Sequence, residues 1–256
     1  MSVQHVSDTT RSAPADPVGA GGDHPRPATA PPRSWLLWAA CIIGGLLGGP
    51  TFSHWVYGVR WGTDFTPPAG VQMPLPLFAP GSWLLAWFAL VPYLSVLYAA
   101  GRRRWAWRTF VFGFLWHFAS LVWLATLIPF NPFMPLGVVL LPLALAVFML
   151  FFAATFRLMA RRLAPVWWPA AAATAWVAVE YLRSLGPFAF PWNFVGHSQS
   201  LGNAWGCQIA DHIGVYGLSW IIVFANAVLA LALWGRFAAR STDGPPPVAC
   251  RHWRRL

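Results

Sequence analysis

Long apolar runs, separated by short segments rich in arginine, glycine or proline, dominate this chain. Runs near twenty residues are long enough to cross the hydrocarbon core of a bilayer as an α-helix. The pattern predicts about six transmembrane helices, near residues 35–52, 83–100, 109–128, 136–159, 166–182 and 215–234. Pro142 predicts a kink near the start of the fourth. The first run, Trp35 to Gly49, is short, and whether it fully spans is left open.

The flanking segments differ from this apolar middle. Residues 1–33 are rich in small and polar residues and in proline, and they nearly lack large aliphatic side chains. Such a segment cannot bury enough surface to offset the entropy of ordering, so we predict a disordered N-terminal tail. Residues 34–236 form the predicted transmembrane domain and residues 237–256 a basic cytoplasmic tail. The fold expected is an all-α polytopic membrane bundle without a soluble domain.

Composition and charge support this interpretation. Charged residues make up 9% of the chain, against about 25% in soluble domains. The net charge is +10 and all 17 basic residues are arginines. They cluster between apolar runs, a pattern that sets membrane orientation and does not indicate nucleic-acid binding. With the N-terminus inside, all arginines except Arg60 and Arg183 fall on cytoplasmic segments, which predicts that both termini are cytoplasmic.

The residue inventory also limits the possible chemistry. The chain has no lysine, which excludes a Schiff base or a lysine-assisted nucleophile within these residues. Cys41, Cys207 and Cys250 are scattered, with neither a disulfide pattern nor metal-ligand spacing. His117 in the third span is more typical of a hydrogen-bond donor to another helix than of a haem ligand. We therefore predict no catalytic residue, no metal and no cofactor.

The candidate functional residues lie between residues 175 and 230. Glu180 is the only glutamate, and Arg183, three residues later, shares its helix face. Ionisable residues in a membrane helix are functional candidates by default. The alternative is that the two residues neutralise each other and only mark the membrane interface. In that case the polar side chains of the following loop only form hydrogen bonds to the loop backbone. We predict an outward surface facing lipid or a partner, formed by Glu180, Arg183, Pro191, Trp192, His197, Gln199, Gln208, Asp211 and Tyr216.

Several pieces of the sequence, taken in order, resemble the membrane portion of bacterial apolipoprotein N-acyltransferases. They are W-V-A-V-E-Y-L-R, F-P-W, G-H-S-Q and Q-I-A-D-H-I-G-V-Y-G-L-S-W-I-I-V-F-A-N-A-V-L-A. Upstream, F-A-P-G-S-W-L-L-A-W-F-A-L-V-P-Y is similar to an early segment of that family. The resemblance covers roughly residues 35–236.

This resemblance implies a location in the bacterial inner membrane and an acyltransferase of lipoprotein biosynthesis. Family members move an acyl chain from a phospholipid to the N-terminal cysteine of a lipoprotein, using a Glu-Lys-Cys triad in a nitrilase-like domain. Without lysine this chain cannot supply that triad, and no nitrilase-like domain is expected within it. His197 also stands where the family more often has tyrosine. We expect a truncated membrane part that is not catalytic alone, with membrane phospholipid, a lipoprotein substrate and a separate catalytic subunit as partners.

Two other functions stay open. In the first, the chain is a non-enzymatic scaffold for a separate catalytic partner. That partner is a nitrilase-like protein or a polyprenol-phosphate mannose synthase, an enzyme that is associated with related membrane halves in actinobacteria. A small-molecule transporter is the second, and it ranks last because the chain lacks internal repeats and charges near the membrane midplane.

Overall fold

The structure is a computed structural model that describes residues 34–48, 82–99, 104–186, 189–200 and 203–240. The six α-helices in these ranges are α1 (Ser34–Leu46), α2 (Val91–Ala99), α3 (Trp105–Leu121), α4 (Met134–Ala160), α5 (Trp168–Arg183) and α6 (Ala204–Arg240). Short 3-10 helices accompany them at Ser82–Trp87, Val122–Phe130, Pro165–Trp167 and Val195–Gln199. The described residues contain no strand, so the prediction of an all-α membrane protein is confirmed.

Some predictions concern residues outside the described ranges. These are the disordered tail at 1–33, the end of the first span at 49–52, the loop at 50–80 with Arg60, and the tail beyond residue 240. Within the described ranges, three helices are long and apolar enough to cross a membrane: Trp105–Ala125, Met134–Ala160 and Ala204–Trp234. That all six predicted segments cross stays a prediction.

The helices pack in a closed order around one core. α1 contacts α2 and α3, α3 packs on α4, α4 on α5, α5 on α6, and α6 returns to α2. α1 and the residues directly after it approach α3 closely at glycines, because a Cβ added at Gly45 or Gly48 would lie 2.6 Å from an atom of Leu115 or Trp116, respectively. Small residues allow such close helix contacts in membranes.

Aromatic side chains fill the centre of this ring. The rings of Tyr93 and Phe112 stack with centroids 3.8 Å apart, and Phe152 meets Trp176 edge-on at 5.0 Å. Trp116 contacts Trp176 in the same way at 6.3 Å. The buried Tyr93 hydroxyl donates to Thr109 Oγ1 at 3.1 Å, which agrees with the rule that buried hydroxyls find a partner.

The segment predicted as one span near 83–100 is divided in the structure. A 3-10 helix ends at Trp87 and α2 begins at Val91, and Pro92, with no N–H, cannot continue an α-helical ladder back to residue 88. The side chain of Asn226, the only amide in the sixth predicted span, bridges this break. Its Oδ1 accepts from Leu90 N at 3.0 Å and its Nδ2 donates to Ala86 O at 2.8 Å.

The bundle has two chemically different ends. At the first, which we call the arginine end, the Arg157 guanidinium at the end of α4 lies over the ring of Trp105 at the start of α3. The arginine end carries Arg104, Arg108, Arg157, Arg161 and Arg162. At the other, the loop end, residues 189–200 pack against the C-terminal ends of α3 and α5. The candidate residues lie at the loop end.

Candidate functional site

Glu180 lies in the last turn of α5 and is 3% exposed. Its Oε1 accepts two hydrogen bonds, one from Trp176 Nε1 at 2.9 Å and one from the backbone N–H of Val195 at 2.8 Å. Trp176 is one turn earlier on the same helix, whereas Val195 begins the 3-10 helix Val195–Gln199. The carboxylate therefore attaches the folded-back loop to α5.

Arg183, which is 5% exposed, connects three parts of the bundle. Its Nη1 lies 3.0 Å from His117 Nε2 on α3, and its Nη2 donates to the Trp192 carbonyl at 3.1 Å. The guanidinium also lies over the ring of Phe194, 5.2 Å from the centroid. A guanidinium has only donors, so His117 Nε2 accepts and His117 Nδ1 carries the proton, which it donates to Gly113 O at 2.8 Å.

Asn193 completes this arrangement from the loop. Its φ is 58°, a left-handed conformation that asparagine adopts more readily than most residues. Its Nδ2 donates to Ser120 Oγ at 2.8 Å, and Ser120 Oγ donates to the His117 carbonyl at 3.1 Å. We call His117, Ser120, Glu180, Arg183 and Asn193 the polar cluster.

Although they share a helix face, Glu180 and Arg183 do not bind each other directly in the described structure. Each has one buried atom without a hydrogen-bond partner among the described residues, Oε2 of Glu180 and Nε of Arg183. Both residues line a small cavity that is large enough for about one water molecule. The cavity is also lined by the apolar side chains of Phe148, Met149 and Phe152.

A second buried network surrounds Gln199, which is fully buried. Its Nε2 donates to the Trp83 carbonyl at 3.1 Å, and its Oε1 accepts from Asn203 Nδ2 at 2.9 Å and from Trp87 Nε1 at 3.3 Å. Gly196 N donates to Ser219 Oγ at 2.8 Å. The Val195–Gln199 helix is thus attached both to the segment before α2 and to α6.

The structure divides the nine predicted surface residues into two groups. Glu180, Arg183 and Gln199 are buried, because the loop folds back over the end of α5 and uses them as hydrogen-bond partners. These three therefore do not line an outward surface. The others are exposed or half-buried and lie at the loop end: Pro191, Trp192, His197, Gln208, Asp211 and Tyr216. That this second group meets lipid or a partner stays a prediction.

Aromatic contacts order the accessible part of the loop. Trp192 stacks on Trp123 with centroids 5.4 Å apart, and His197 stacks on Phe194 at 5.2 Å. The Tyr216 hydroxyl donates to Ser184 Oγ at 2.9 Å. Burial, and secondarily the positive charge of Arg183, lowers the pKa of His197 below its usual value, because both disfavour the imidazolium.

Three residues of this region were not predicted as site residues. Ser120 and Ser219 lie in apolar helices. The only sequence signal for them is that each is a polar residue within an otherwise apolar run. Asn193 follows the F-P-W turn that drew attention to Trp192. His117 does bond to another helix, but through an accepting nitrogen rather than as the predicted donor.

The described residues contain no group of three His, Cys, Asp or Glu side chains placed to hold a metal ion. Cys207 is half-buried, and its thiol lies 3.5 Å from the Ser200 carbonyl and 3.8 Å from the Gln199 carbonyl. Both of the contacts that the described residues give this thiol are therefore to backbone carbonyls.

Comparison with known proteins identifies relatives of this chain. Residues 69–228 match the family described as apolipoprotein N-acyltransferase N-terminal domain. The apolipoprotein N-acyltransferase of Geobacter metallireducens is 33% identical over 190 residues, which are 70% of this chain and 34% of the relative. That of Coxiella burnetii is 33% identical over 176 residues, 64% of this chain and 34% of the relative. The chain thus spans about a third of the length of these curated relatives.

Proposed function

Because the chain belongs to the apolipoprotein N-acyltransferase family, through that family's N-terminal domain, we propose that it is the membrane portion of a lipoprotein-maturing acyltransferase. In this function it anchors a catalytic domain at the loop end and brings that domain to membrane phospholipid and to a lipoprotein substrate. The observation that carries the proposal is the match over residues 69–228, which includes the polar cluster and the loop it holds.

The 256 residues of this chain do not perform the acyl transfer themselves in this proposal. They contain no lysine, so a Glu-Lys-Cys triad cannot be assembled from them. The only glutamate, Glu180, accepts hydrogen bonds from Trp176 and Val195. Catalysis is therefore supplied by a domain or subunit other than these residues.

The polar cluster supports a positioning role. Arg183 joins α3, α5 and the loop, and Glu180 fixes the start of the next helix, so the loop is held by buried bonds at several points. A loop so fixed presents Pro191 and Trp192 in one arrangement, which reduces the ordering cost of docking a partner. Charge supports an inner-membrane orientation with the arginine end cytoplasmic, since arginines favour that side.

A transfer assay tests this function. Membranes containing the chain alone, and membranes that also contain a nitrilase-like domain of the same family, are incubated with labelled phospholipid and a diacylated lipoprotein peptide. We expect transfer only when both components are present, and no hydroxylamine-sensitive label on the chain. Label on the chain that is lost in Cys207→Ala would show that these residues are catalytic, which contradicts the proposal.

Copurification separates the proposed function from the scaffold alternative. A chain that copurifies with a nitrilase-like domain and stimulates its transfer supports the acyltransferase role. A chain that copurifies instead with a polyprenol-phosphate mannose synthase, and leaves transfer unchanged, supports a non-enzymatic scaffold.

A further inference from the structure

The arginine end has a strong local excess of positive charge. The structure describes two acidic side chains, Glu180 and Asp211. Glu180 belongs to the polar cluster, and Asp211 lies in α6 ahead of Gly214, so both are at the loop end. Among the described residues, the opposite end therefore carries five arginines and no carboxylate side chain.

Arg108 is the most unusual of these arginines because it is only 6% exposed. Its Nε is buried and has no hydrogen-bond partner among the described residues. Its guanidinium lies 5.8 Å from the ring centroid of Trp38 on α1. A buried donor that lacks an acceptor is costly. An acceptor beside Arg108 Nε would remove that cost, and an anion is the strongest acceptor for a guanidinium group.

The first turn of α3 offers further donors beside Arg108. The N-cap residue of this helix, Arg104, has φ 66° and ψ 6° and makes no side-chain capping bond, and no acidic residue lies in the first turn. A left-handed residue followed by helical ones turns successive backbone N–H groups to one side, where they bind anions. Side chains on a helix lean toward its N-terminus, so Arg108 leans toward these groups, and Arg157 covers Trp105 beside them.

We infer that the start of α3 is a binding site for a phosphate group, held by the backbone N–H groups of that turn and by Arg108, with Arg104 and Arg157 at its rim. Phosphate oxygens accept hydrogen bonds both from helix N-terminal N–H groups and from guanidinium groups. A phospholipid headgroup and free phosphate share this chemistry. The site is at the opposite end of the bundle from the polar cluster, and it stands independently of the acyltransferase proposal.

Lipid binding to the full chain tests the site. The chain is purified in detergent, delipidated and given phosphatidylglycerol, diacylglycerol with the same acyl chains, or inorganic phosphate at matched ionic strength. Native mass spectrometry and thermal unfolding are the readouts. We expect one phosphatidylglycerol per chain and a higher unfolding temperature, with no such effect of diacylglycerol. If inorganic phosphate gives the same stabilisation and competes with the lipid, the ligand is free phosphate at the same site.

Two substitutions at the arginine end separate a built site from general charge. Arg108→Gln should weaken phosphatidylglycerol binding by about tenfold or more, the loss expected for a hydrogen bond to a charged group. Arg162→Gln removes the same charge from an exposed position and should leave the affinity unchanged. If Arg108→Gln does not fold, Arg108→Lys is used, and it should lower affinity because lysine lacks the planar set of donors.

Three outcomes would overturn the inference. Equal stabilisation by phosphatidylglycerol and diacylglycerol would mean that the charge of Arg108 is balanced from within the chain. Unchanged affinity in Arg108→Gln, or in Arg108→Lys where that variant replaces it, would remove Arg108 from the site. Equal losses in Arg108→Gln and Arg162→Gln would reduce the effect to net charge.

Discussion

Arg183 on α5 donates a hydrogen bond to His117 Nε2 on α3, across 3.0 Å and 66 positions of sequence. Because Trp192 O accepts from the same guanidinium, one side chain determines how two helices and a loop meet. The guanidinium of Arg183 therefore binds groups inside the bundle. Arg183, which the sequence predicted on an outward surface, connects α3, α5 and the loop.

Replacing Arg183 should cost much more stability than neutralising Glu180. Arg183→Ala removes the hydrogen bonds that this charged group donates to α3 and to the loop, each worth about 1.5–3 kcal/mol, and takes the nearby cation away from the Glu180 carboxylate. Glu180→Gln keeps an oxygen that accepts from Trp176 and Val195, so about 1 kcal/mol is expected. Thermal unfolding in detergent and proteolysis of the loop measure both. If Arg183→Ala is as stable as the parent, Glu180 and Arg183 only mark the membrane interface and do not hold the bundle together.

Asn226 should be essential for the break before α2. Asn226→Leu leaves the buried Leu90 N–H and Ala86 carbonyl without their side-chain partner, at about 1–3 kcal/mol for each group. Asn131→Leu is the matched control, because Asn131 bonds Phe133 N in an exposed turn, where water replaces the lost bond. The free energy of unfolding is measured for both variants. Similar decreases in Asn226→Leu and Asn131→Leu would contradict the prediction.

Gly196 should not tolerate a side chain. A Cβ there would lie 2.6 Å from the Val215 carbonyl oxygen, a backbone atom of α6 that cannot rotate away. Gly196→Ala is expected to lower the unfolding temperature and to loosen the loop. Gly137→Ala in α4 is the control, since its nearest neighbour is Met134 Sδ at 3.8 Å and alanine favours a helix by about 1 kcal/mol over glycine. A stable Gly196→Ala would show that α6 can move away from the loop.

Acid should destabilise the loop through His197. Its folded-state pKa lies below the unfolded value because of burial and Arg183, so the unfolded chain binds the proton more tightly. The contribution of His197 to the free energy of unfolding is therefore fully present above about pH 6.5, and it is lost as the pH falls below that value. The unfolding temperature of His197→Gln should fall less between pH 7.5 and 5.5 than that of the parent. His212→Gln, at an exposed position of α6, should fall like the parent, and identical slopes in all three would refute the assignment.

Topology is testable with reporter fusions. The arginine distribution predicts that Arg240 is cytoplasmic and that Asn203, at the loop end, is on the opposite side. A fusion of alkaline phosphatase should therefore be active at Asn203 and inactive at Arg240. The reverse pattern would overturn the orientation, although the helix packing would stand.

The sequence predicted the helices well because each depends on its own apolar run. The long runs of α3, α4 and α6 coincide with helices that are long enough to span. The break at residues 88–90 was not predicted, because its partner Asn226 is distant in sequence and no local pattern links the two. The sequence shows that Asn226 is an isolated amide in an apolar run, but it does not show which backbone groups that amide contacts.

The candidate site was predicted only in part for a similar reason. Position and chemistry singled out Glu180, Arg183 and Gln199, but local spacing cannot show that residues 189–200 fold back and bury them. The i, i+3 spacing placed Glu180 and Arg183 on one face, whereas their actual partners come from α3 and the loop. Side chains whose partners are distant in sequence are those for which a linear pattern is least informative.

The bridge from Asn226 to the break before α2 also has a consequence for biosynthesis. Leu90 and its partner are 136 positions apart, and Ala86 and its partner 140. At about 5–20 residues per second, a ribosome needs about 7–28 seconds to reach Asn226 after it has made the break. During that interval the polar backbone of residues 86–90 depends on water or on the insertion machinery, so a protease or chaperone that recognises unfinished membrane segments has a defined period in which to act.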